Sequence, residues 1–152
     1  TLEPLSEHLY EYKTLMFQNY GAGIQACYRG PRLYDTEETK KAVVEVINWY
    51  KKYRNILNSD IIHLRKPDAR DWDGIMHANP AEKEKGLAMF FNPTDKEIIR
   101  RIRLPLYYTG LTKTAQIREQ EETPPTHTLQ RDYSVELTVR IPAGGYTWYV
   151  IE

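Results

Sequence analysis

The sequence predicts an α+β chain: a helical N-terminal segment followed by an antiparallel β-sandwich of seven to eight strands. Three observations carry this expectation. In the first third, apolar residues recur every three or four positions, the spacing of one helix face, whereas from Ser59 onward they alternate every second position. Proline, glycine and asparagine turn signals then punctuate the second part at the short intervals of an all-β meander. Finally, 152 residues suffice for one hydrophobic core, since a chain of this length buries about two-thirds of its unfolded surface without a disulfide or metal staple.

Leu5, Leu9, Tyr12 and Met16 form one apolar stripe and predict a first helix. Thr36 to Leu57 repeat the pattern with Val43, Val46, Ile47, Tyr50 and Leu57 on a shared face. Asp35 followed by Glu38 reads as a capping box at its start, and Asn58-Ser59-Asp60 as its stop. Between the helices, Gly21 to Ala26 fits the spacing of a dinucleotide-binding fingerprint. That motif needs a buried strand before it and a helix after it. Here a helix precedes it and Gly30-Pro31 interrupts the downstream side, so the spacing predicts a short buried strand, Ala22–Cys27, and no cofactor. Strands are expected at Ile61–Leu64, Gly74–Ala78, Gly86–Phe91, Ile98–Leu106, Lys113–Glu119, Tyr133–Ile141 and Tyr146–Ile151. The clearest is Tyr133–Ile141, where apolar residues alternate strictly with Ser134, Glu136, Thr138 and Arg140. Glu119-Gln120-Glu121-Glu122 reads as a solvated hairpin end.

Composition narrows the function classes. Lys and Arg total 21 and balance 21 Asp and Glu, which argues against a polyanion-binding protein. No apolar run has the length of a membrane span. Twelve tyrosines and three tryptophans argue against disorder. One cysteine excludes an internal disulfide and a cysteine-based zinc cluster; Cys27, in an apolar run without a neighbouring histidine, reads as inert packing. The four histidines (His8, His63, His77, His127) lack ligand spacing, so no metal is expected, and His63 and His77 read as a partly buried pair on consecutive strands. Ser6, Ser59 and Ser134 have no nucleophile-elbow context. Arg100-Arg101-Ile102-Arg103 places charge on both faces of a strand and reads as a solvated edge.

The organisation is therefore helix, short strand and helix over residues 1–58, then an all-β unit over residues 59–152. A lone strand cannot satisfy its own backbone groups; the downstream sandwich could supply a sheet for it, and a (β/α) barrel lying upstream is the simpler supplier. The chain opens at Thr1 without a methionine or a leader, and the expectation is a piece of a longer protein.

The run Tyr20-Gly21-Ala22-Gly23 through Tyr28-Arg29-Gly30-Pro31-Arg32-Leu33-Tyr34-Asp35 resembles the last strand, loop and helix of a glycoside hydrolase barrel. Tyr53 to His63 and Gly145 to Glu152 resemble the C-terminal β-sandwich of the same proteins, the α-galactosidase-like group of retaining enzymes. The resemblance implies a catalytic pair of aspartates on earlier barrel strands, outside these residues. No catalytic residue is carried over, and the chain alone is expected to be inactive. It also implies an upstream barrel domain as partner, carbohydrate as ligand, and a periplasmic or extracellular location. Self-association through residues 1–57 is the expected behaviour of the piece in isolation.

Two groups of residues are candidates for binding. If Ala22–Cys27 ends a barrel, Tyr28, Arg29 and Arg32 lie at the catalytic face, with the tyrosine set to stack on a sugar ring and the arginines to bind hydroxyls or a carboxylate. The structural alternative has the arginines clamp helix ends or pair with Asp35 and Glu37. Asp71 and Trp72, in Arg70-Asp71-Trp72-Asp73-Gly74, form a second candidate, a sugar platform with acceptors beside it. Its alternative, a turn at Pro67–Arg70 with Trp72 capping the core, is favoured by the turn chemistry. The favoured function is the C-terminal portion of a glycoside hydrolase, its sandwich a structural support. The alternative is an autonomous carbohydrate-binding or interaction module.

Overall fold

The computed structural model describes residues 2–25 and 30–152. A short 3-10 turn, Leu5–Glu7, leads into helix α1, Leu9–Gly21, and after a loop into α2, Glu37–Leu57. Eight strands come next: β1 Asp60–Arg65, β2 Asp73–Ala78, β3 Gly86–Phe91, β4 Ile98–Pro105, β5 Thr114–Glu119, β6 Thr126–Thr128, β7 Ser134–Ile141 and β8 Tyr146–Ile151. All pairings are antiparallel, and the α+β architecture is the one expected. β6, three residues long, is the strand the sequence pattern does not predict.

Two local details differ from expectation. The α2 capping box is formed by Thr36 and Thr39, one residue beyond the expected Asp35–Glu38 pair. The Thr36 side chain accepts from the Thr39 backbone N–H, and the Thr39 hydroxyl serves the Thr36 backbone N–H in return. Asp35 supports the box from outside, accepting from the Thr39 hydroxyl at 2.9 Å and from the Ser6 backbone N–H at 2.9 Å. The second difference is the expected strand Ala22–Cys27. Residues 22–25 are not extended; they end α1, and Ala26 and Cys27 lie outside the described residues. Gly23 donates to Tyr20 O at 3.0 Å and Ile24 donates to Asn19 O at 3.2 Å, the paired bonds of a Schellman cap. Gly23 takes the left-handed φ of 73° that this cap requires. A Cβ there would stand 2.3 Å from Leu57 O, so glycine also allows the two helix ends to touch. The glycine spacing that mimics a nucleotide fingerprint is thus a helix terminus.

The strands form two layers. Six make one sheet in the order β1-β2-β3-β8-β5-β6, and β4 pairs with β7 in a second. Between the layers lies one core: Met76, Ala88, Phe90, Tyr149 and Ile151 from the large sheet meet Ile98, Ile102, Leu104, Val135, Leu137, Val139 and Ile141 from the small one. The central pair β3–β8 is buried on both faces. Its other face offers Leu87, Met89, Phe91, Trp148 and Val150 to the helices, where Tyr12, Met16, Phe17, Val46, Trp49, Tyr53, Ile56 and Leu57 cover them. Aromatic rings dominate this second core. Phe17 stacks on Tyr146 at 4.2 Å between centroids, and Trp49 and Tyr53 meet the Trp148 ring edge-on at 5.5 and 5.3 Å. Burying each large apolar side chain is worth roughly 1.5–3 kcal/mol, so the helices are held by several such terms at once.

Polar links fasten the same layer. The Tyr53 hydroxyl donates to Glu121 in the β5–β6 turn and accepts from Arg118 at 3.0 Å, while Lys52 pairs with Glu121 at 2.8 Å. The acidic hairpin end is solvated, as expected, and α2 also holds it through Glu121. His77 ties the other end: its Nε2 donates to Gly21 O at 2.6 Å, at the C-terminus of α1, and its Nδ1 lies 3.5 Å from Ser59 O. It shares a sheet face with His63, two register steps away, but His77 is buried and His63 exposed. Removing the Tyr53 hydroxyl by Tyr53→Phe is expected to cost about 1 kcal/mol in urea unfolding, because the ring packing stays and the charged acceptor is partly hydrated.

Burial pushes the His77 imidazole below its ordinary pKa, against the pull of the two carbonyls. The unfolded chain then takes up the proton more readily than the folded one. The stability His77 contributes is accordingly present above the unfolded value of about 6.5 and lost as pH falls through the folded value. The expected outcome is a urea midpoint that declines from about pH 7.5 to about pH 5, with a shallower decline in His77→Gln, which keeps a neutral donor.

Candidate functional site

Arg65, at the end of β1, organises the loop that carries Asp71 and Trp72. Its guanidinium forks onto Asp68 at 3.2 and 2.8 Å, and Nη1 also donates to Trp72 O at 2.7 Å. The Arg65 fork, with the backbone N–H groups of Arg70 and Asp71, holds the Asp68 carboxyl far below the usual carboxylate range. The loop is thus a fixed turn, with Ala69 at a φ of 59°. Trp72 is half-buried, packed on Phe90 at 5.8 Å between centroids and under the Arg65 cation at 6.0 Å. Asp71 accepts from the Trp72 backbone N–H at 2.8 Å and pairs with Arg100 at 3.3 Å. Arg100 occupies the inward register of β4 between Ile98 and Ile102, so Asp71 and Trp72 together close this mouth of the sandwich. A shallow depression of about 250 Å³ beside them is lined by His63, Arg65 and Asp73, the last with its carboxyl pushed up by burial.

The other predicted group is only partly described. Tyr28 and Arg29 lie outside the described residues. Arg32 is half-exposed on the helical side and pairs with Glu3 at 3.0 Å, a partner that the sequence pattern does not suggest. The described structure therefore brings Asp71 and Trp72 together at one sandwich end and leaves Arg32 on the helical layer. Among the described residues no three His, Cys, Asp or Glu side chains gather as a metal site. Nor is any described helix long and apolar enough to cross a membrane.

A groove of about 970 Å³ opens where α2 ends. Asn58, Ser59, Asp60 and Ile61 form one side, Asn79 and Pro80 the other, and Tyr108 stands at its wall. From Tyr108 an aromatic ridge continues across the surface. Tyr107 meets Tyr108 at 5.2 Å with the rings at 89°, and Tyr133 meets Tyr107 at 5.8 Å. Tyr107 and Tyr108 are 63% and 62% exposed, more than any other large hydrophobic residue described. Sequence reasoning passes over them because Tyr107 and Tyr108 fall between the expected strand Ile98–Leu106 and the turn at Thr109-Gly110, where pattern alone does not tell a buried ring from an exposed one.

No family model matches the chain, and no curated protein matches it. Solved structures do resemble it in fold. A proposed α-N-acetylgalactosaminidase from Bacillus halodurans superposes with a TM-score of 0.61 at 10% identity, over 93% of this chain and 32% of its own. An α-amylase from Geobacillus thermoleovorans, solved with acarbose, gives 0.52 at 13% identity, over 80% and 25%. AmyP, solved with maltose, gives 0.51 at 7% identity, over 75% and 20%. The fold neighbours are thus glycoside hydrolase chains, in line with the resemblance drawn from the sequence. This chain spans between 20% and 32% of the length of these solved proteins.

Trp72→Ala tests the packing account of the sandwich mouth. The expected loss is about 2 kcal/mol in chemical unfolding, below the cost for a fully buried tryptophan because the side chain is only partly buried. A change within about 0.5 kcal/mol would mean that the ring is displayed rather than packed.

Proposed function

We propose that this chain is the C-terminal part of a glycoside hydrolase, an accessory β-sandwich whose helical layer joins it to a barrel catalytic domain upstream. The observation that carries the reading is the 93% coverage of this chain by a neighbour of which it occupies 32%. Helices and sandwich match as one unit inside a much larger chain, which suits an accessory portion better than a complete enzyme. The retaining mechanism needs two carboxyl groups about 5 Å apart, and on this reading both belong to the upstream domain.

The helical layer offers a face for that domain. One side of the layer is spent on the β3–β8 sheet, and the far side exposes Leu33, Tyr34 and Val44, at 60%, 44% and 48%. Lys40 stands over the Tyr34 ring at 5.5 Å, and Glu37, Lys41 and Glu45 frame Val44. Such a mixture of apolar and charged groups is typical of contacts between domains of one chain, which are more polar than obligate interfaces. Within this reading Tyr28, Arg29 and Arg32, together with Trp72 and Asp71, are the residues proposed to contact sugar.

The first test is the reading frame upstream of Thr1. Strand–helix repeats with aspartates ending two strands are expected, together with hydrolysis of p-nitrophenyl α-galactoside or α-N-acetylgalactosaminide by the longer product and none by the 152 residues alone. Activity in the isolated chain, or an upstream frame without those repeats, would overturn the reading. In isolation the same face is expected to drive self-association in sedimentation velocity. Leu33→Asp with Val44→Asp should return the chain to monomer while changing folding stability by no more than about 0.5 kcal/mol each.

A further inference from the structure

We propose that the tyrosine ridge Tyr108–Tyr107–Tyr133, with the groove lined by Asp60 and Asn58, is a binding site for a neutral polysaccharide. The proposal rests on the reading of the parent as a sugar-acting enzyme for its class of ligand, and on this chain's own geometry for its place.

The first observation is how the rings are presented. Tyr107 and Tyr108 sit in the 3-10 turn Tyr107–Thr109, between Leu106 and Thr109, both fully buried. The Thr109 hydroxyl donates to Leu106 O at 2.6 Å, and Gly110, at a φ of 77°, ends the turn. Two consecutive large side chains therefore point outward from a backbone anchored on both sides. This preorganises a binding surface, because little ordering remains to be done when ligand arrives. The rings are not members of the core cluster, which here includes Leu106, Leu104 and Val135.

The second observation is independent. Tyr133 adopts a φ of 61°, a left-handed conformation that glycine or asparagine accepts and a bulky aromatic residue resists. Its backbone is pinned there, with its N–H donating to Gln130 O at 2.9 Å and its carbonyl accepting from Leu106 N–H at 2.9 Å. The turn thus holds a residue that suits its conformation poorly, and holds it exposed, in ring contact with Tyr107. Left-handed backbone also occurs at Ala69 and Gln120, so at Tyr133 it is the combination with a ring held against Tyr107 at the surface that points to a role for the side chain.

The chemistry selects the ligand. Rings at 89° make a corner with two apolar walls and hydroxyl rims, which fits a pyranose: its C–H faces pack on the rings while its hydroxyls reach polar groups. Those groups lie in the adjoining groove. The Asp60 carboxylate makes no hydrogen bond or ion pair among the described residues and is free to accept from sugar hydroxyls. Asn58 accepts from the Tyr50 hydroxyl through its Oδ1, and among the described residues its amide N–H groups make no hydrogen bond. Ile61 and Pro80 are the exposed aliphatic residues of the groove, beside the polar Asn58, Asp60 and Asn79.

The test is native electrophoresis of the 152-residue chain through gels cast with soluble starch, guar galactomannan or laminarin, beside a non-binding reference protein. Retardation is expected in at least one gel, and Tyr107→Ala with Tyr108→Ala should weaken it by about tenfold or more. Tyr133→Gly separates binding from packing: it should lower retention and raise the melting temperature, because glycine relieves the φ. A purely structural Tyr133 would instead lose stability on that change. Migration unaffected in all three gels, or retardation that survives both the double variant and Tyr133→Gly, would overturn the proposal. Neither outcome depends on the upstream reading frame, so a failure here is distinguishable from a failure of the hydrolase reading.

Discussion

Two-sided burial of the β3–β8 pair is the constraint that shapes the remaining architecture. β3 reads Gly-Leu-Ala-Met-Phe-Phe, buried at every position, and β8 is buried at all but its first. Such strands satisfy one face with the β4–β7 sheet and leave Leu87, Met89, Phe91, Trp148 and Val150 to be covered from the other side. A face of that size cannot be left in water without losing roughly 1.5–3 kcal/mol for each large side chain. The helical layer is therefore an integral cover, and its packing face is determined by the sheet as much as by its own periodicity. That is why Trp49 and Tyr53 turn inward, while Tyr50 stays half-exposed with its hydroxyl on Asn58.

Around this three-layer stack, charge closes the edges. The outer face of β4–β7 carries the pairs Arg101–Glu136, Arg103–Asp132 and Arg140–Glu97. Exposed pairs of this kind add little stability, but they keep two free strand edges from recruiting other chains. The inward Arg100 is neutralised by Asp71, and Arg65 fixes the loop that brings Asp71 there. Tyr53, Lys52, Arg118 and Glu121 do the same between helix and sheet. Polar groups elsewhere in the chain thus tend to be spent on closure, and the tyrosine ridge stands out because its rings are not.

Sequence pattern recovers the elements where local preference and tertiary demand agree. Tyr133–Ile141 alternates cleanly because one face meets the core and the other water, and β7 begins within one residue of that estimate. β6 escapes because three residues with Thr, His and Thr carry no period to detect. The strand expected at Ala22–Cys27 fails over its first four residues for a different reason. Gly21-Ala22-Gly23 combines an apolar start with turn chemistry, and the close approach of Leu57 O decides for the turn. The candidate site was legible only as residue types. Asp71 and Trp72 have the chemistry of a sugar platform, and their partners Arg100 and Phe90 are neighbours in space and not in sequence.

Local pattern and composition were enough to set the order of helices and strands, the alternation that assigns strand residues to a face, and the balance of charge that disfavours nucleic acid. Those properties belong to short windows or to the whole composition, and a chain carries them before it folds. Which aromatic residues are covered was settled only by packing. Trp49, Tyr53 and Trp148 meet from different elements and exclude water together. Tyr107, Tyr108 and Tyr133, identical in chemistry to Tyr53, are held outward by turns anchored at the ends of β4 and β7. Exposure is a property of long-range contacts, and no window of sequence contains it.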